Sequence, residues 1–415
     1  MNRIEKLLQT LAPKGVEFKT LEEVFEIKNG YTPSKNNPEF WEKGTIPWFR
    51  MEDIRKNGRI LKDSIQHITP KALKNKKLFP KNSIIISTTA TIGEHALLIV
   101  DSLANQQFTF LSKKADCDPA LDMKFFFYQC FLLGEWCKKN TNVSGFASVD
   151  MTAFKKYKFP IPPLEIQQEI VKILDAFTEL NTELNTELKA RKKQYQYYQN
   201  MLLDFNDINS NHKDAKEKLA QKTYPKRLKS LLQTLAPKGV EFRKLGEVCD
   251  FQKGKSITKK AVTFGKVPVI SGGRQPAYYH NEANRSGETI AISSSGVYAG
   301  YVSYWDIPVF LADSFSVSPK QKILIPKYLF HYLTTQQDAI HATKSTGVIL
   351  HVYSKDLQNF LIPIPPLEIQ QEIVKILDQF SVLTTDLLAG IPAEIEARKK
   401  QYEYYREKLL SFKPL

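Results

Sequence analysis

The chain has 415 residues, 42% of them hydrophobic and 25% charged, with a formal net charge of +15 and a pI near 9.3. That length predicts two or more folding units, and the composition excludes disordered and fibrous classes. No apolar run reaches the roughly 18–20 residues that span a bilayer, and MNRIEKLLQTLAPKG has no apolar signal-peptide core. A cytoplasmic protein with no membrane partner is expected. The excess of cations favours a polyanion such as a phosphate backbone. Cys117, Cys130, Cys137 and Cys249 lack paired metal-ligand spacing, and Cys130 and Cys137 read as filler on one buried helix face.

A leader, LLQTLAPKGVEF, occupies Leu7–Phe18, and a KNG ending at Gly30 precedes a block running from Tyr31 to Pro160. Within the block, Ser83–Ser87 and the following HALLIV are β-branched or apolar runs bounded by turn residues, and so predict strands. DMKFFFYQCFLLGEWCKK predicts an aromatic-rich helix near the block's end. Pro162 and Pro163 fit a helix start, where a missing N–H costs nothing, with Glu165 favouring the positive helix end. Apolar residues then recur at steps of four and three at Ile166, Ile170, Ile173, Phe177, Leu180 and Leu184, the pattern of a coiled-coil seam. Continued through Leu188, Tyr195, Tyr198 and Leu202, this helix has about 40 residues and spans about 60 Å. TELNTELNTEL, from Thr178 to Leu188, repeats a four-residue unit worth about 6 Å of helix. DFNDINSNHKDAKE, from Asp204 to Glu217, reads as a linker.

The same order then returns. The leader recurs at Leu231–Phe242, a QKG ends at Gly254, and a second block fills Lys255–Pro363. TIAIS and VFLAD predict strands, and PKYLFHYLTTQQDAIHAT a helix. IPPLEIQQEIVKILD, first seen at Ile161–Asp175, recurs at Ile364–Asp378, with a second seam at Ile369, Ile373, Ile376, Phe380, Leu383 and Leu387. Gly390 and Pro392 should interrupt that helix. ARKKQYQYY from Ala190 returns as ARKKQYEYY from Ala397, placing Arg191, Lys192, Lys193, Arg398, Lys399 and Lys400 on exposed helix faces. Three ordered near-identical pairs establish an internal duplication. The enclosed blocks align only at their edges. A fixed scaffold thus carries two different inserts, divided as 1–160, 161–203, 204–222, 223–363 and 364–415. The class is α/β (α+β): two globular domains separated by an antiparallel two-helix coiled coil, related by a pseudo-twofold internal repeat.

Enzyme signatures fail on inspection. KGKS at Lys253–Ser256 resembles the end of a phosphate-binding loop, but that loop needs glycine where Cys249 stands. IPPL lacks the Asp, Asn or Ser before Pro-Pro, and the aromatic after it, that an amino-methyltransferase uses. His67, His95, His280, His331, His341 and His351 have no metalloprotease spacing. No catalytic residue, cofactor or metal site is assigned.

The leader LAPKGVEFKTLEEVFEIKNGYTPSK, the paired IPPLEIQQEIVKILD segments, TELNTELNTEL and the two ARKKQYxYY stretches resemble the type I restriction–modification specificity (S) subunit family over nearly the whole chain. The resemblance implies a prokaryotic, non-catalytic subunit. Its two target recognition domains each read one half of a split, asymmetric site on double-stranded DNA, and the helices set the gap between the halves. It also implies two methyltransferase (modification) subunits, which bind S-adenosylmethionine and methylate adenine at N6, and two ATP-driven restriction (motor) subunits. S-adenosylmethionine, ATP and Mg thus belong to partners only. The other readings are a specificity chain of a system without translocation, and a DNA-free scaffold, which predicts weakly charged and similar inserts.

Base edges are read by Arg, Asn and Gln with help from Ser, Thr and Tyr, while Lys and Arg on phosphates position the protein. The first insert offers Arg50, Arg55, Lys56 and Arg59, then Lys74, Lys76 and Lys77, then Thr88, Thr89 and Thr91 with Asn105, Gln106 and Gln107. The second offers Lys255, Lys259 and Lys260, then Arg274, Gln275, Tyr278 and Tyr279, then Ser293, Ser294 and Ser295 with Tyr298 and Tyr301.

Overall fold

The computed structural model describes residues 2–73, 77–115, 120–142, 147–320, 322–345, 350–385 and 390–414. These fall into two units, Met1–Glu183 with Glu396–Leu415, and Leu184–Ile395.

The first unit is built on a five-stranded sheet ordered Phe25–Asn29, Phe108–Lys113, Ile84–Ser87, His95–Leu98, Ile60–Leu61. The run Ile84-Ile85-Ile86 is apolar without alternation because both faces of the sheet are covered. Ile84 and Ile86 enter one core with Phe125, Phe126 and Leu133 of the helix Met123–Lys139, whereas Ile85 enters another with Met51, Phe108 and Phe110. Asp122 caps that helix by accepting from the backbone N–H of Lys124 (2.7 Å) and Phe125 (3.2 Å). Cys130 and Cys137 are buried filler, as expected, and burial pushes the Cys137 thiol up to about 12. Cys117 lies outside the described residues.

The second unit repeats this plan on different residues. Its main sheet is ordered Cys249–Lys253, Ser314–Pro319, Thr289–Ser293, Val302–Trp305, and the central strand again splits two cores, Ile290 and Ile292 against Ala291. Each unit also has a three-stranded sheet of matching order: His67–Ile68, Ile46–Phe49, Leu103–Ala104 in one, and Tyr278–His280, Val267–Ile270, Phe310–Leu311 in the other. The helix predicted over PKYLFHYLTTQQDAIHAT divides into Pro326–Thr335 and Gln337–Ala342. Thr334 and Thr335 donate their hydroxyls back to the carbonyls of His331 and Tyr332 (both 2.7 Å), which competes with helix continuation.

Both ends of each variable block emerge side by side. Glu17–Thr20 pairs antiparallel with Lys158–Ile161, and Glu241–Lys244 with Leu361–Ile364. The next helix begins at Leu164, with Pro163 as the carbonyl that receives the first turn's bonds. It runs unbroken for 40 residues to Leu203, giving residues 164–183 to the first unit and 184–203 to the second. Its counterpart is Leu367–Thr385, followed after a non-helical Gly390 by Ile391–Leu410. That is the interruption expected of Gly390 and Pro392.

The seam positions also serve the globular cores. Ile166 and Ile170, with Leu174, are fully buried in a core of the first unit that also holds Leu409 and Leu410 of the helix Ile391–Leu410; Ile369 and Ile373, with Leu377, are buried in the second core with Leu202 and Leu203 of the helix Leu164–Leu203. Sheet, aromatic helix and partner-helix end all contribute to the cores that cover these first turns. Rings stack between the helices at Phe177 on Tyr405 (5.6 Å) and at the equivalent Phe380 on Tyr198 (4.9 Å). Ile173 and Ile376 pack at the edges of those cores, and Leu180 and Leu184 are half-buried. The side chain of Leu383 and all of Leu387 lie outside the described residues.

A buried amide ties each helix to its domain. Gln167 accepts from the Asp122 N–H (2.8 Å) and donates to the carbonyls of Ala120 (3.0 Å) and Pro162 (2.7 Å). Gln370 repeats this with Ile325 (2.9 Å), Ile323 (2.9 Å) and Pro365 (2.7 Å). Gln167→Ala should lower the stability of its unit by about 2–4 kcal/mol, because each orphaned buried group costs about 1–3 kcal/mol. Denaturant melts check this, and Gln370→Ala should match it in the other unit.

The stretch read as a linker is folded. Residues 204–222 contain a short turn, Asn206–Ile208, and a helix, Ala215–Gln221, and they bury Phe205, Ile208 and Leu219 in the second core. The Val240 N–H donates to Ile208 (2.8 Å), just as the Val16 N–H donates to Lys413 (3.0 Å). The tail of each copy's helix therefore completes the leader of the other copy.

Candidate nucleic-acid interface

At one end of each main sheet, loops are stitched together by the same backbone bonds. In the first unit the Gly30 N–H donates to Phe108 (2.9 Å), Thr88 to Gln107 (3.0 Å) and Val149 to Thr88 (2.9 Å). In the second, Gly254 donates to Ser314 (2.8 Å), Ser294 to Asp313 (3.0 Å) and Val352 to Ser294 (2.9 Å). A Cβ at Gly30 would lie 2.3 Å from the Ala104 carbonyl, and one at Gly254 2.5 Å from that of Ala312, so both loop crossings require glycine. The loop after the central strand turns through a left-handed residue in both, Ala90 (φ 58°) and Gly296 (φ 83°). Backbone is conserved between the copies here while side chains are not.

Part of the predicted set gathers on these rims. In the first unit Thr89, Thr91, Asn105, Gln106 and Gln107 lie there; Thr32 donates to Gln106, and Asn105 to Gln107 (3.2 Å). Exposed Arg55 joins Thr91, Lys138 and Thr141 around an adjoining hollow of about 600 Å³. In the second unit Ser294, Ser295 and Tyr298 occupy the equivalent loop, and the Lys255 N–H is anchored to Leu311 (2.9 Å). The Arg274 guanidinium lies 4.8 Å from the Tyr298 ring and 5.6 Å from that of Tyr301, an exposed cation over two aromatic rings.

Other predicted residues are placed differently. Thr88 and Ser293 are buried, their hydroxyls spent on Thr109 (3.0 Å) and the Ser271 carbonyl (3.1 Å). Half-buried Arg59 is a brace, bonded to Glu94 (2.5 Å) and the His95 carbonyl (3.0 Å). Arg50 pairs with Glu52 (2.8 Å) above Trp48. Exposed Lys56 borders a separate hollow with Asn57 and Lys62, and exposed Lys77 lies nearer Glu26. Lys259 and Lys260 are exposed on the short helical turn Lys259–Ala261 and Gln275 on a loop; Tyr279 is exposed on its strand, while Tyr278 packs on the core of Val269 and Phe310. Lys74 and Lys76 lie outside the described residues. Sequence reasoning passed over Asp313, read as the end of a strand, and the exposed Val297 and Phe264. No pattern marks a lone apolar residue in a loop.

His95 sits behind the first rim, edge-on to Phe127 and Phe131. Burial, then the charges of Arg59 and Arg406, lower its imidazole to about 3. A depressed histidine lends stability that is complete above its ordinary value near 6.5 and is lost as pH falls toward 3. His95→Gln should make unfolding take up about one proton fewer between about pH 4 and 6, read as a shallower dependence of melting temperature on pH. Among the described residues no group of three or more His, Cys, Asp or Glu is placed to hold a metal ion.

The type I restriction modification DNA specificity domain matches residues 13–194 and again 237–397. The type I restriction enzyme EcoprrI specificity subunit of Escherichia coli is 39% identical over 402 residues, covering 93% of this chain and 92% of its own. The EcoR124I/EcoR124II specificity subunit of Escherichia coli is 34% identical over 309 residues, 66% of this chain and 69% of its own. The crystal structure of the type I S subunit from M. genitalium shares the fold at a TM-score of 0.57 and 19% identity, covering 95% of each chain. With a duplicated sequence, a twice-built fold and these matches together, the chain belongs to the type I restriction–modification specificity-subunit family, whose members are non-catalytic DNA-recognition subunits.

Proposed function

We propose that this chain reads a two-part, asymmetric site on double-stranded DNA, one rim per half-site, and positions two adenine-N6 methyltransferase subunits and two restriction subunits on it. The observation that carries the reading is the pair of rims, with the same backbone stitching and different side chains. Equal scaffolds with unequal contacts are what two readers of different half-sites require. The net charge of +15 supplies the sequence-independent attraction to phosphate. S-adenosylmethionine, ATP and Mg would be held by the partner subunits, and this chain needs no cofactor of its own. Among the described residues no helix is long and apolar enough to cross a membrane; a cytoplasmic complex is the setting this reading requires. Mapping methylated adenine in the host genome, with and without the gene, tests it. A split motif that vanishes with the gene is expected, and an unchanged pattern would refute the reading.

A further inference from the structure

The second rim carries a carboxylate where the first carries an amide. Asp313 and Gln107 are equivalent by their backbone bonds, since their carbonyls accept from the matching loop residues Ser294 and Thr88, both at 3.0 Å. Asp313 is exposed, the Ser295 hydroxyl donates to it, and among the described residues no cation lies within ion-pair distance. A carboxylate facing phosphates is repelled, and on a chain of +15 such a group is out of place on a DNA-facing loop unless it meets a donor.

We infer that Asp313 selects a cytosine in the half-site read by the second unit, an inference that rests on the DNA-reading function proposed above. In the major groove only two bases present an exocyclic amine. Adenine N6 sits beside the acceptor N7, which suits an amide able to donate and accept together. Cytosine N4 has no acceptor next to it on its own edge, and so suits a group that only accepts. Guanine and thymine would set O6 or O4 against the carboxylate and be rejected. Ser295 fixes the carboxylate's orientation through one oxygen, Oδ2, and leaves the other for the base. Gln107 at the matching place is the residue type suited to adenine.

The test is methylated-adenine mapping with the full-length chain co-expressed with its methyltransferase partner. The wild type should require cytosine at one position of one half-site. Asp313→Ala should relax that single position, reducing discrimination by about 10- to 100-fold, with the other half-site and the gap unchanged. Asp313→Gln should move the preference toward adenine, and Ser295→Ala should retain cytosine. An unaltered half-site in both Asp313 variants, or a uniform loss of methylation across all sequences from chains that melt like the wild type, overturns the assignment. A wild type with no two-part motif defeats the underlying function instead.

Discussion

Deletion of residues 182–185, one TELN unit, is expected to leave both half-sites of the methylated target intact and to shorten the gap between them by one or two base pairs. Four residues remove about 6 Å of helix, against about 3.4 Å per base pair. The helix Leu164–Leu203 is continuous through the repeat, and the division between the two units falls inside it, between Glu183 and Leu184. Leu180, Leu184 and Leu188 are only half-buried, and Glu179, Glu183 and Glu187 are exposed, so the deletion crosses no core. It rotates the C-terminal half of the helix by about 40°, since four residues turn a helix through about 400°. That is within the width of an apolar face of about 100°. The same mapping experiment reads the result, and an unchanged gap would sink the ruler mechanism.

Exchange of Tyr31–Pro160 for the corresponding block of another family member should replace one half-site entirely and leave the other untouched. The antiparallel ribbon of Glu17–Thr20 with Lys158–Ile161 holds both ends of the block at one place, so the graft closes on the scaffold's own hydrogen bonds. The contacts that cross the join and must survive in the donor include Phe126 against Phe25 (4.4 Å), the Gln167 bonds to Asp122 and Ala120, Lys124 with Asp175 (2.6 Å), and Tyr128 donating to Asp175 (2.6 Å). The second unit meets the last requirement with His331 on Asp378 (3.1 Å) beside Lys327 (2.7 Å), so that position tolerates another hydrogen-bonding ring. A donor with an aliphatic residue there should fold less well while its specificity still transfers. Change in both half-sites would show that reading is not modular.

The sequence displayed the duplication, the strand at Ser83–Ser87, the aromatic helix after Asp122 and the break at Gly390, because each is written in neighbouring residues as a repeat, a period, a cap or a helix breaker. At Ile166 and Ile170 it showed the apolar face but not that the globular core shares it, since periodicity tells which face is apolar and not all that covers it. Residues 204–222 are polar enough to read as a tether, yet Phe205, Ile208 and Leu219 dock because the leader just downstream, with the helix ends and sheet behind it, supplies their partner surface.

By itself, then, the order of residues determined that two unlike inserts sit on one repeated frame, since identity between segments needs no folding to be seen. Only the tertiary structure decided which polar residues share a rim, which, like Thr88 and Ser293, are buried inside, and which, like Arg59, are held by an ion pair, because strands far apart in sequence bring the loops together and the partners met there choose the hydroxyls and guanidinium groups left free.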